Sequence, residues 1–108
     1  MFQVIKRDGK NADFTLTRIS DAIVKAFEAT EMQYNRDIID LLSLRVTADF
    51  QEKVKDGRIH VEDIQDSVEK VLEQAGYAEA AKAYILYRKQ REKMRAMKST
   101  ILDYKDVV

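Results

Sequence analysis

The stretch FQVIKRDGKNADFTLTRISDAIVKAF, residues 2–27, contains the change of hydrophobic period on which the predicted fold depends. Residues 2–7 and 10–14 have the character of two short strands. Between them stands Asp8-Gly9, a dipeptide that is favoured in type I′ turns. From Leu16 onward the apolar residues recur at spacings of three and four, which predicts a helix. This part of the chain is therefore predicted to form a β-hairpin followed by a helix.

Three more helical segments follow, and glycines mark two of their ends. The four predicted helices span residues 16–30, 38–54, 62–75 and 77–98. An isolated hairpin is marginally stable in water, so its apolar face must pack on the helices. The predicted fold is mainly α: a four-helix bundle capped by a short N-terminal β-hairpin. Residues 99–108 depart from the helical pattern, and the chain is expected to be part of a longer protein.

Composition excludes several classes of function. The chain has no cysteine and one histidine among 108 residues. This excludes a disulfide framework, a thiolate zinc site, an iron–sulfur cluster, a cysteine nucleophile and a multi-histidine metal site within this chain. No stretch approaches the roughly 18 apolar residues of a membrane span, and the N-terminus does not resemble a signal peptide. We therefore expect a cytoplasmic protein with no membrane partner.

Charge is distributed unevenly although the formal net charge is zero. Residues 1–20 carry four basic and two acidic side chains, residues 21–79 carry seven and fourteen, and residues 80–108 carry eight and three. If the hairpin packs beside the fourth helix, the basic residues of both could converge on one polyphosphate. The ordinary alternative is a solvated helix end whose charges complement the helix dipole. The phosphate-binding motifs GxxxxGK[ST] and GxGxxG are absent.

Four strings of sequence together resemble the ATP-cone domain in order and spacing. They are VIKRDG at residues 4–9, RISDAIVKAF at 18–27, VEDIQDSVE at 61–69 and YILYR at 84–88. The resemblance spans about residues 3–93. The family is the N-terminal regulatory domain of many ribonucleotide reductases, and its fold is a small hairpin over a four-helix bundle. The third and fourth strings look most like the anaerobic, glycyl-radical ribonucleoside-triphosphate reductases.

The resemblance also implies a nucleotide site. Val4 and Ile19 are implied to border the adenine or its sugar. Lys6, Arg7 and Arg18 are implied to reach the phosphates, with Arg18 standing where the family usually has lysine. The remaining implied contacts are Gln65, Arg88 and Arg91. Some members of the family use threonine and histidine near the nucleotide at the positions of Val61 and Gln65. For Tyr84 and Tyr87, contact with the nucleotide and simple core packing are equally compatible with the pattern.

The implied function is allosteric rather than catalytic. Residues 1–98 would bind ATP, which activates the parent reductase, or dATP, which inhibits it through oligomerisation or a conformational change. Residues 99–108 would begin a linker to a catalytic domain beyond this chain. Mg²⁺ is expected only by way of the bound phosphates. A homo-oligomer is a candidate partner, and nucleic acid is not expected.

Two alternatives remain open at the level of sequence. One is the ATP-cone of a nucleotide-sensing transcriptional regulator. The other is a helical module that contacts nucleic acid or protein through the basic end of the fourth helix.

Overall fold

Four helices and one small sheet are found among the residues that the computed structural model describes, which are 2–107 for the backbone and 2–93 for the side chains. In chain order the elements are β1 (Gln3–Ile5), β2 (Asn11–Asp13), α1 (Leu16–Ala29), α2 (Arg36–Phe50), a short 3-10 helix (Gln51–Lys53), β3 (Arg58–His60), α3 (Val61–Gln74) and α4 (Ala78–Val107). The predicted fold class, mainly helical with a small N-terminal hairpin, is confirmed.

The sheet has a third strand that the sequence did not reveal. Its order is β2-β1-β3, with β1 antiparallel to β2 and parallel to β3. Val4 lies opposite Ala12 on one side and Ile59 on the other. A strand of three residues is too short to show an alternating pattern, and parallel pairing joins segments that are far apart in sequence. The hairpin is therefore held at both edges of β1.

The two Asp-Gly dipeptides of the chain form turns of different types. At the hairpin tip the Gly9 N–H donates to the Lys6 carbonyl at 2.9 Å, and φ is positive only at Gly9. This is a three-residue loop with glycine in the left-handed position, so the predicted type I′ turn at Asp8-Gly9 is wrong. Asp56 and Gly57, by contrast, both have positive φ, 54° and 71°. They form a tight two-residue turn of the type I′ kind that directs the chain into β3.

A cluster of three phenylalanines attaches the hairpin to the helices. Phe2 and Phe14 stack on each other at 4.4 Å between ring centroids. Both meet the fully buried ring of Phe50, at the end of α2, edge to face at 5.6 and 5.8 Å. Such aromatic pairs contribute about 0.5–1.5 kcal/mol beyond the area they bury. The hairpin thereby gains the apolar support that it lacks alone.

Each helix turns one face to a common core. The buried side chains come from all four helices and from β3. The largest of those that are fully buried are Phe27, Phe50, Ile23, Ile39, Ile59 and Leu72. On α2 and α4, however, Leu41 and Leu86 are 59% exposed. The inward face of α4 is formed by Ala80, Ala81 and Tyr84, and Leu86 lies outside it.

The fourth helix continues further than the sequence pattern predicted. Its backbone is helical to Val107, so the expected departure from helix at Ser99 is wrong. Residues 94–107 contain neither glycine nor proline, and the remaining residue types change helix stability by less than about 0.7 kcal/mol each. The proposed domain boundary between residues 98 and 99 stays a prediction.

Truncating Phe50 tests the role of the phenylalanine cluster. We expect Phe50→Ala to lower the free energy of unfolding by about 3–5 kcal/mol, because it opens a cavity under the hairpin. Leu44→Ala on the exposed face of the same helix is the control and should change stability by no more than about 0.5 kcal/mol. Urea denaturation followed by circular dichroism measures both. Equal effects of the two substitutions would contradict the assignment.

Candidate functional site

A cavity of about 440 Å³ lies where the hairpin meets α1, α3 and α4. This volume is within the usual range of about 300–1,000 Å³ for small-molecule sites. The lining combines five basic and two acidic side chains with an apolar floor. The basic residues are Lys6, Arg7, Arg18, Lys25 and Arg91, the acidic ones are Asp13 and Asp21, and the floor includes Val4, Ile19, Ala22, Ile64 and Val68. This composition suits a ligand with a flat apolar part and a strongly anionic part.

Seven of the eight residues named from the sequence line this one cavity. They are Val4, Lys6, Arg7, Arg18, Ile19, Gln65 and Arg91. They come from β1 and its loop, α1, α3 and α4, which are separated along the chain. The eighth, Arg88, is not among the lining residues. The fold thus brings the hairpin cations Lys6 and Arg7 together with Arg91 of α4, as the charge distribution suggested.

The start of α1 lies beside the cavity and has no side-chain cap. Thr15, the residue before the helix, lines the cavity and makes no capping hydrogen bond with its side chain. The first turn contains no acidic side chain. A helix N-terminus carries free N–H groups and a partial positive charge, and both favour a phosphate. The cations of the lining and the helix dipole therefore act in the same direction.

Arg7 connects the hairpin loop to α3 and α4. Its Nη2 donates to Gln65 Oε1 at 3.2 Å. Its Nε lies 3.8 Å from Glu62 Oε1, and its Nη1 lies 3.4 Å from Glu92 Oε1. The Arg7 side chain is 23% exposed, so it is partly withdrawn from water while it lines the cavity. It is the one lining cation with an ion pair among the described side chains.

Tyr87 lies between two other cations of the lining. Lys25 Nζ from α1 and the Arg91 guanidinium from α4 each lie 5.7 Å from the centre of the Tyr87 ring. Arg91 Nη1 also donates to the Tyr87 hydroxyl at 3.2 Å. Cation–π attraction partly offsets the repulsion between two like charges. Tyr84, nearby in the lining, is buried, and burial raises the pKa of its phenol, so it stays neutral.

Lys25 and Asp21 belong to the lining but were not among the residues named from the sequence. On α1, Asp21 follows Arg18 by three residues and Lys25 follows it by seven. Residues at i, i+3, i+4 and i+7 share one face of a helix. Extending the face of Arg18 along α1 would have identified both residues.

Arg88 is occupied elsewhere. Its Nη1 contacts Asp66 Oδ1 at 3.2 Å and also pairs with Glu69, both on α3. Partial burial by itself would lower the pKa of Arg88, but the hydrogen bonds and negative charges of Glu69 and Asp66 together outweigh it and raise that pKa. The structure therefore places Arg88 in a bridge between α4 and α3. Its assignment as a nucleotide contact stays a prediction that this arrangement does not support.

Other features of the described residues bear less on function. A second cavity of about 480 Å³ between α1 and α4 has only Lys25 and Lys82 as cations, with Glu79 in the same lining. No cluster of three or more histidine, aspartate or glutamate side chains that could hold a metal ion occurs among the described residues. In the same part of the chain, no helix is both long and apolar enough to span a membrane.

Replacing Arg88 tests whether its role is structural. We expect Arg88→Gln to lower the free energy of unfolding by about 1–3 kcal/mol, because Glu69 loses its charged partner in a half-buried position. Lys89→Gln, at an exposed neighbouring position, should change stability by no more than about 0.5 kcal/mol. Thermal and urea unfolding of both variants provide the measurement. Unchanged stability of Arg88→Gln would contradict the bridge.

Comparison with known proteins agrees with this architecture. The family described as "ATP cone domain" matches residues 2–93. The chain is 43% identical over 102 residues to the ribonucleoside-diphosphate reductase subunit alpha of Chlamydia pneumoniae, a match that covers 88% of this chain and 10% of that protein.

Two further relatives belong to other reductase types. An anaerobic ribonucleoside-triphosphate reductase of Haemophilus influenzae is 36% identical over 93% of this chain and 14% of its own length. A vitamin B12-dependent ribonucleoside-diphosphate reductase of Thermoplasma acidophilum is 36% identical over 89% of this chain and 13% of its own length. The chain therefore spans only about a tenth to a seventh of these relatives. Because the family match covers most of its length, the chain belongs to the ATP-cone domain family, generally the allosteric regulatory domain of ribonucleotide reductases.

Proposed function

We propose that the cavity between the hairpin and the helices binds ATP and dATP as allosteric ligands. The observation that carries this proposal is the convergence of five cations and the uncapped start of α1 on one cavity with an apolar floor. Lys6, Arg7 and Arg18 contact the phosphates together with the N–H groups of α1. Arg91, on α4, contributes a further positive charge to the phosphate-binding part of the cavity. Mg²⁺, where it accompanies the nucleotide, is bound through the phosphates.

The apolar floor receives the base and sugar. Val4 and Ile19 line the cavity beside the cations and provide the surface against which an adenine ring packs. Gln65 accepts from Arg7 through Oε1, which leaves its amide NH₂ as a donor. A donor at this place suits a ribose oxygen or an acceptor nitrogen of the base. Val61, also in the lining, contributes only apolar contact.

The domain acts on a catalytic body rather than as an enzyme. ATP permits turnover of the parent ribonucleotide reductase and dATP stops it, by a change of conformation or of assembly into a homo-oligomer. The two ligands differ by one hydroxyl group. They can shift an equilibrium only if they bind its two states with different affinities. The reductase is a cytoplasmic enzyme, and the domain acts there with it.

We assign the parent to the anaerobic ribonucleoside-triphosphate reductases. This assignment rests on the strings IQDSVE at residues 64–69 and YILYR at 84–88. The relatives include diphosphate, triphosphate and B12-dependent reductases at comparable identity, so the comparisons do not select among the classes. The sequence that adjoins this domain in its natural protein would decide the class.

Calorimetry of the 108-residue chain tests the binding site. We expect ATP and dATP to bind with dissociation constants below about 1 mM. Lys6→Gln and Arg18→Gln should each raise both dissociation constants about five- to thirtyfold, because each substitution removes a charge-assisted hydrogen bond. Lys82→Gln removes an exposed cation outside the cavity and is the matched control. If the folded chain binds neither nucleotide, the proposal fails. If a nucleic-acid oligomer binds and ATP does not displace it, the basic helix has a different role.

The regulatory part is tested in the intact reductase. We expect dATP to lower turnover and to change the sedimentation coefficient relative to ATP. The double substitution Lys6→Gln with Arg18→Gln should abolish both responses and preserve the turnover measured without an effector. Identical turnover and sedimentation of the unsubstituted reductase with either nucleotide would exclude the proposed switch.

A further inference from the structure

Arg7 has a complete set of protein partners even though it lies in the lining of the cavity. Gln65, Glu62 and Glu92 contact three different nitrogens of its guanidinium group. Glu62 is in the first turn of α3, and Glu92 is on α4 next to Arg91. The side chain of Arg7 therefore joins the hairpin loop to both helices.

Loss of the ion pairs costs less free energy at the two carboxylates than at Arg7, because the carboxylates are more exposed to water. Glu62 and Glu92 are 61% and 66% exposed, whereas Arg7 is 23% exposed. An exposed carboxylate that loses its partner is simply hydrated, so such pairs contribute only about 0.2–1 kcal/mol each. A phosphate offers the same planar guanidinium a bidentate contact with more charge. An anion in the cavity would therefore displace both glutamates from Arg7.

We propose that Glu62 and Glu92 are internal competitors for phosphate at Arg7. Binding of a polyphosphate then exchanges the two ion pairs of Arg7 for phosphate contacts and releases Glu62 and Glu92 from the hairpin loop. The inference rests on the proposed function, since it takes the anionic ligand of the cavity to be a polyphosphate. Glu62 and Glu92 are positioning residues here, because they act on the ligand only through Arg7.

The exchange of partners at Arg7 also affects α4. Arg91 and Glu92 are adjacent on α4, and one lines the cavity while the other holds Arg7. When phosphate neutralises Arg7 and Arg91, Glu92 is left with a free charge on a helix that continues to Val107. Occupancy of the cavity thus removes the ion pair of Glu92 and gives the adjacent Arg91 an anionic partner. This connects phosphate binding to the segment that follows residue 92.

Neutralising the competitors should tighten binding. We expect Glu62→Gln and Glu92→Gln in the 108-residue chain each to lower the dissociation constants of inorganic tripolyphosphate and of ATP about two- to fivefold. Asp66→Asn is the matched control: it is on α3, it is 58% exposed, it removes the same charge, and it pairs with Arg88 instead of Arg7. A gain in affinity equal to that of the control would mean general electrostatics only and would overturn the proposal.

The Arg7→Gln background separates direct competition from indirect effects. There, Glu62→Gln and Glu92→Gln should improve affinity no more than Asp66→Asn does, because the residue for which they compete is gone. Relative to the unsubstituted chain, Glu62→Gln should also shift the Arg7 Nε–H resonance before any ligand is added, because Glu62 is the partner of Nε. Tripolyphosphate should shift the same resonance in the unsubstituted chain.

The outcomes distinguish this inference from the proposed function. If ATP binds and the Gln variants match the control, competition at Arg7 is wrong and the binding site stands. If neither ATP nor tripolyphosphate binds the folded chain, the proposed function fails and the inference fails with it. Persistence of the gain in the Arg7→Gln background would also overturn the inference.

Discussion

The attachment of a very small hairpin to the helices is the constraint on which the rest of the structure depends. β1 and β2 have three residues each and could not persist alone in water. They are held by the rings of Phe2 and Phe14 against Phe50, and by the parallel pairing of β1 with β3. These contacts set the distance of the hairpin loop from α3 and α4. The cavity exists only because that distance is maintained.

The cavity in turn has to accommodate like charges in close proximity. The chain has no net charge, yet five cations line one volume of about 440 Å³. Two arrangements among the described residues reduce the repulsion: Arg7 is paired with exposed carboxylates, and Lys25 and Arg91 each lie within cation–π distance of the Tyr87 ring. Neither arrangement is strong, since exposed ion pairs and cation–π contacts contribute about 1 kcal/mol or less. A site stabilised in this way can readily exchange those contacts for an anion.

Arg88 shows the opposite arrangement. It is one turn from Arg91 on the same helix, but its guanidinium lies against two carboxylates of α3 and is only 17% exposed. A partly buried charge requires oppositely charged, hydrogen-bonded partners such as these carboxylates. Removal of the arginine would leave its carboxylate partners poorly solvated. Arg88 therefore stabilises the contact between α3 and α4, whereas Arg91 faces the cavity. The string YILYR does not distinguish these two roles.

Local signals in the sequence predicted the helices, the place of the hairpin and the membership of the family. Helical period, capping residues and turn dipeptides act within a few residues, so they can be recognised without knowing the fold. The same signals did not predict the types of the two Asp-Gly turns. Asp8-Gly9 and Asp56-Gly57 are identical dipeptides, yet only the second adopts positive φ at both residues. The hydrogen-bonded residues on either side of each turn select its type, and for Asp56-Gly57 those residues include the start of β3.

Part of the candidate site could also be named in advance, because six of the lining residues named from the sequence lie in strings that resemble a known family and the seventh, Arg91, lies three residues after the last string. The partners of each charge could not. Arg7 meets Gln65 across 58 positions of the chain, and Arg88 meets Asp66 across 22. Which carboxylate reaches which guanidinium depends on how the helices cross and on which face each one buries. Composition and period therefore determine where the cations are along the chain, but packing determines which of them face the cavity, because ion pairs form between elements that only the fold brings within a few ångströms.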